Sequence, residues 1–241
     1  MKANEIIYAI REKLKEYTDD TRYTDDYIMY LVRINRAVLI RREYSNLQRT
    51  VDSEVLQTFC MNTEEVNESL CPECSTYYNN DNQCSIIRTI EQVPFTIELH
   101  NKNMIHRVVV FDENNPSNTQ IGRPVNYISA ERAVYAGSGD FEFNQIFAFL
   151  LPDGHMYLKS RTGIHRTIDK IGITAALENP DDASIFPDCY TGKTSCFNIL
   201  EDRYPVKAWM ESIIISEIVS ELVNLKKLPA DEVNNSKADI N

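Results

Sequence analysis

Apolar residues recur at helical spacing in the first fifty positions and at strand spacing after them. Ile6, Ile7, Ile10 and Leu14 share one face at roughly 100° per residue, which predicts a helix from about 4 to 17. An acidic elbow runs from Tyr17 to Asp26, and within it Thr24 has the chemistry of an N-cap, because its hydroxyl can accept an amide of the next turn. Asp25 and Asp26 then favour the dipole of a second helix that continues to about Leu47. That helix is apolar on two sides. Tyr27, Leu31, Ile34 and Val38 form a stripe suited to packing on the first helix. Met29, Val32, Ile40 and Leu47 lie opposite, with Arg33, Arg36 and Glu43 among them. This second face is either sandwiched inside the chain's own domain or meets a neighbouring subunit.

From Val51 to Pro180 the period shortens to two. Val93, Phe95, Ile97 and Leu99 alternate with Pro94, Thr96 and Glu98 and predict a half-buried strand, at an edge because of Pro94. His106 to Phe111 and Lys170 to Leu177 predict further strands, and Ser129 to Tyr135 a short helix before Gly137. Ile146 to Leu151 and His155 to Ser160 flank Pro152-Asp153-Gly154, a hairpin turn in which proline presets one dihedral and glycine accepts a positive one.

Pro205 is placed to open a last helix, where its missing amide is harmless. Val206, Trp209, Met210, Ile213 and Ile214 cluster on one side of it, and Ile215, Ile218, Val219, Leu222 and Leu225 on a side rotated by roughly 140° at the helical period. Such a helix either runs through a wide core or packs on its own body first and on something else later. The tail from Pro229 is polar and charged and is expected to be disordered when free or ordered on a partner. The pattern as a whole predicts an α+β chain: an N-terminal helical hairpin over 1–50, a β-rich body over 51–203, a C-terminal helix over 204–228 and a tail over 229–241. The interface reading of the two helices selects Arg33, Arg36, Ile40, Ile215, Ile218, Val219 and Leu222 as candidate subunit contacts.

Composition changes this picture in one respect. The chain has 241 residues and a net charge of −11, but residues 1–50 carry about +2 of it, leaving about −13 for the rest. An acidic body repels DNA, whose binding is driven by cations that displace phosphate counterions. Wrapping of DNA is therefore not expected. No apolar run of signal-peptide length follows the N-terminus, and Ser216, Glu217, Ser220 and Glu221 interrupt the most apolar window, so a soluble product made in a cytosol is expected, with no membrane association.

Candidate chemistry is sparse. Cys71-Pro-Glu-Cys74 has the spacing of a zinc knuckle, and Cys84 or Cys60 would supply a further thiolate. Without a second such pair, the six cysteines read as buried free thiols, since a reducing compartment argues against disulfides. Thr191-Gly-Lys-Thr194 imitates the end of a phosphate-binding loop, but the glycine such a loop needs five positions before Gly192 is Pro187. His100, His106, His155 and His165 show no ligand pair, and no serine sits in a glycine elbow. No cofactor and no catalytic residue is assigned, and the reading is of an assembly part, not an enzyme.

The order of parts carries a resemblance. Ile10-Arg-Glu-Lys-Leu14 with Asp19 to Asp26, then Leu177-Glu-Asn-Pro-Asp-Asp182, then Tyr204-Pro-Val-Lys-Ala-Trp-Met-Glu211 resemble the head–tail connector (ring, or adaptor) proteins of tailed bacteriophages, nearest to the crAss-like podoviruses. The resemblance implies a virion protein at the head–tail vertex, made in the host cytoplasm. It implies a ring of about twelve copies below the portal protein that extends the DNA channel and supports other connector and tail proteins. Its agreement with the two-faced helices is physical, since head-to-tail contacts need two different patches on each subunit. The alternative is a zinc-stabilised regulatory or nucleic-acid-binding protein built on Cys71, Cys74 and Cys84 with Arg33, Arg36, Arg41 and Arg42.

Overall fold

β-branched and aromatic residues recur through the middle of the chain, and in the computed structural model its strands close a barrel. The structure describes residues 1–17, 23–45, 51–67, 85–100, 102–111, 122–187, 189 and 202–227. The chain divides into two units, Met1–Leu39 with Leu200–Asn241, and Ile40–Ile199. The acidic elbow over 18–22, Cys71, Cys74 and Cys84, the segment Thr191 to Thr194 and the tail from 229 lie outside the described residues.

The second unit holds β1 (Gln57–Asn67), β2 (Ser85–Thr89), β3 (Glu98–Leu99), β4 (Lys102–Asn103), β5 (Ile105–Val110) and β6 (Pro124–Tyr127). After the short helix α3 (Ala130–Ala133) come β7 (Phe147–Leu150), β8 (Met156–Lys159) and β9 (Lys170–Ala175). Around the barrel the order is β1-β2-β8-β7-β6-β5-β9, with β9 returning to β1. β6 and β7 run parallel, and the other neighbours antiparallel. The long β1 makes closure possible. Its first half, Gln57–Asn62, pairs with β9, and its second half, Thr63–Asn67, crosses to β2.

Alternation places Phe59, Met61, Val108, Val110, Leu158, Ile171 and Ile173 in one buried core. The hairpin between β7 and β8 forms as expected, with Gly154 at φ +82°. The Asp153 carboxylate completes the turn by accepting from the His155 amide at 3.0 Å and from the Tyr157 hydroxyl at 2.6 Å.

Three expectations change. Only Glu98–Leu99 of the stretch Val93 to Leu99 is strand, and Thr96 makes a single bridge to Leu177. Pro94 has no amide to extend a ladder, while the amides of Val93 and Ile97 donate to the Gly154 and Ala176 carbonyls at 2.8 and 2.9 Å. The last helix starts at Ala208, three residues after Pro205. Cys60 is not a free thiol: it forms a disulfide with Cys189, Cα to Cα 5.0 Å. Phe59 and Met61 point into the barrel, so Cys60 faces the other way and is sealed there beneath Pro187, whose carbonyl accepts from its amide.

Candidate assembly surface

The first unit is built from α1 (Ala3–Lys15), α2 (Asp25–Tyr44), which ends just past the unit boundary, and α4 (Ala208–Lys227). α1 buries Ala3, Ile6, Ile7, Ile10 and Leu14 and packs along α4. At the chain start the N-terminal ammonium pairs with Glu211, and the Tyr204 amide donates to the Met1 carbonyl at 3.1 Å. Arg11 pairs with Asp25 at 2.6 Å, and the Tyr23 hydroxyl donates to the Leu222 carbonyl at 3.3 Å. Thr24 caps α2 as its chemistry predicts, its hydroxyl accepting from the Tyr27 amide at 3.2 Å.

α4 buries residues in pairs at four-residue spacing: Met210 and Glu211, Ile214 and Ile215, Ile218 and Val219, Leu222 and Val223. A four-residue step overshoots a turn of about 3.6 residues, so the buried face drifts around the helix. The rotation between the two apolar clusters is therefore the track of one continuous core face. Ser212, Ser216, Glu217, Ser220, Glu221 and Asn224 occupy the exposed side.

The residues expected at a subunit contact fall mostly inside the chain. Arg36, Ile40, Ile218 and Leu222 have no or almost no exposed surface, and Ile215 and Val219 are buried, while Arg33 is half-buried. Val219 does contribute, with Tyr17, Ser216 and Val223, to the wall of a cleft of about 480 Å³. Arg36 is tied locally. Its Nε donates to the Pro205 carbonyl at 2.8 Å, and its guanidinium lies 5.8 Å from the centre of the Tyr204 ring. Burial pushes its pKa below the ordinary arginine value, and Tyr204 counteracts this in part.

The opposite stripe of α2, expected to pack on α1, is the exposed one. Tyr27 is 37% exposed, Tyr30 53%, Ile34 42% and Val38 49%, while Leu31 at its margin is buried. The rings of Tyr23, Tyr27 and Tyr30 stack in sequence, with centroids 5.9 and 6.4 Å apart. The helical wheel separates the two stripes but carries no information on which of them the chain covers itself.

The second unit carries a further exposed aromatic group, which the sequence reading did not select. Phe141 is 98% exposed, Tyr135 76% and Phe143 51%, in and around a tight turn over Asp140–Glu142. Its signal in the sequence is Phe141-Glu-Phe143 directly after the turn-forming Gly137-Ser-Gly-Asp140, where no strand or helix period explains two aromatics.

The Ser160 hydroxyl lies 2.9 Å from His165 Nδ1, but both side chains are sealed from solvent and close the turn after β8. Among the described residues no three His, Cys, Asp or Glu side chains gather to hold a metal, and no helix is long and apolar enough to cross a membrane.

Comparison with known proteins bears on what such surfaces are for. The chain is 28% identical to "Ring protein 2" of Bacteroides phage crAss001 over 241 residues, covering all of this chain and 98% of that one. The family described as phage tail ring protein 2 matches residues 5–240. With a match of that extent, from the first turn of α1 to the tail, the chain belongs to the phage tail ring protein 2 family.

Proposed function

We propose that this protein is a structural, non-catalytic component of a phage particle. In this reading about twelve copies close into a ring at the head–tail vertex, through head-to-tail contacts. The ring sits in the connector below the portal, extends the DNA channel and gives tail proteins a platform. The observation that carries this is the family match over residues 5–240. The exposed stripe Tyr27, Tyr30, Ile34 and Val38 supports it, because a preformed row of large side chains on a capped helix gains by leaving water.

Charge supports the channel role. With 36 acidic side chains against 25 basic ones the chain repels DNA on balance, so passing DNA meets a wall that does not hold it. Native mass spectrometry of portal complexes isolated from particles tests the reading. It predicts complexes that contain many copies of this chain in one fixed number. Particles that lack the chain, or carry it as a monomer, would overturn it.

A further inference from the structure

We propose that the exposed stripe of α2 on one copy of this chain docks against the Tyr135–Phe141 surface of the next copy. The inference rests on the ring reading and names the two different patches that a head-to-tail contact requires. A stripe that met only its own equivalent would stop at a dimer, because a two-fold contact uses the same patch on both partners.

The receiving surface is held in shape before any partner arrives. Gly137, at φ +83°, turns its amide to the Glu142 carboxylate at 2.9 Å. The Glu142 amide donates to the Gly139 carbonyl at 3.0 Å, and the Gln145 amide to the Glu142 carbonyl at 3.0 Å. The Arg161 guanidinium covers one face of Phe143, 5.6 Å from its ring centre. Phe141 is thus fixed outward by its backbone and gains nothing for its own fold at 98% exposure. Beside it lies a cleft of about 430 Å³ whose wall includes Ile128, Ala136 and Phe147.

The stripe on α2 fits such a surface in spacing. Tyr27, Tyr30, Ile34 and Val38 stand at i, i+3, i+7 and i+11, the spacing of anchors on a helix laid into a groove. They span about 16 Å at the α-helical rise. Charges of both signs border each side: Asp26, Arg33 and Arg42 flank the stripe, and Glu131, Arg132, Glu142 and Arg161 flank the receiving surface.

Phage particles assembled with the photocrosslinker p-benzoylphenylalanine in place of Phe141 test the pairing. Irradiation is expected to give a dimer band in which the probe is joined to a peptide from residues 25–44 of a second copy. The probe at Ile34 is expected to reach residues 128–147. A chain incorporated at the normal level but joined elsewhere, joined to a different protein, or not joined at all overturns the pairing while leaving the ring reading intact. Absence of the wild-type chain from particles overturns both. A second measurement removes dependence on the probe. Ile34→Asp and Phe141→Asp are each expected to abolish rings, and their mixture to give dimers and nothing larger, because one intact contact remains. Rings formed by either variant alone overturn the pairing.

Discussion

Arg36 carries a charge with no exposed surface, and its burial explains a feature at the other end of the chain. Its Nε satisfies the Pro205 carbonyl, and its guanidinium rests against Tyr204, so one side chain of α2 fixes the segment that leads into α4. A buried cation of this kind serves geometry more than net stability. Ile218 and Ile34 separate core from surface in the same unit. Ile218→Asp places a carboxylate where no surface is exposed and is expected to cost about 4 kcal/mol or more. Ile34→Asp, at a site 42% exposed, is expected to change monomer stability by only about 0.5 kcal/mol. Thermal melts of the two purified variants check this, and a stable Ile218→Asp protein would return that face of α4 to the list of possible contacts. Tyr157 offers a prediction in pH. Burial, joined by the hydrogen bond to Asp153, pushes its pKa up to about 12. The fold holds this proton more tightly than the unfolded chain does. The resulting stabilisation is complete below about pH 10 and is lost as pH rises towards 12. Tyr157→Phe is expected to flatten that alkaline loss, measured as denaturation midpoints against pH.

Elements show where sequence is informative. The α2 cap, the β7–β8 hairpin and strands β5 and β9 were legible because each is set by neighbours in the chain: Thr24 with Tyr27, Asp153 with His155, alternation within His106 to Phe111. The stretch Val93 to Leu99 misleads because its alternation is not carried into the fold: Phe95 is 82% exposed and Thr96 is buried. On α2 the two stripes are real but the exposed one is the stripe suited to α1, and on α4 residues of both apolar clusters are buried, since burial depends on elements far along the chain. Phe141 belongs to no hydrophobic period, so patterning along the chain does not mark it. The link between Cys60 and Cys189 joins residues 129 apart, a separation at which spacing says nothing about pairing. It fastens the segment near Pro187 to the outer face of β1. Closing a loop of that length restricts the unfolded chain, so Cys189→Ser is expected to cost about 2–4 kcal/mol. Denaturant melts of the oxidised wild type and the variant measure it, with non-reducing peptide mapping to establish the linked pair.

For the whole molecule, the barrel and the helical unit have separable tasks. The barrel closes its own strands upon one another and so removes most of the edges through which sheets associate at random. What remains for specific association is side-chain surface, and the described residues present it on both units, as the α2 stripe and as the Phe141 turn. A ring protein needs two unlike patches on each copy, because such head-to-tail contacts add copies in one direction until the ring closes. An acidic net charge keeps such a body from adhering to the nucleic acid it is proposed to surround. The most direct test is a cryo-electron microscopy reconstruction of the head–tail vertex of the phage particle. The account predicts a closed ring of about twelve copies of this chain between portal and tail, with α2 of each copy against residues 128–147 of its neighbour. A vertex without this chain, or copies that do not touch one another there, would contradict it.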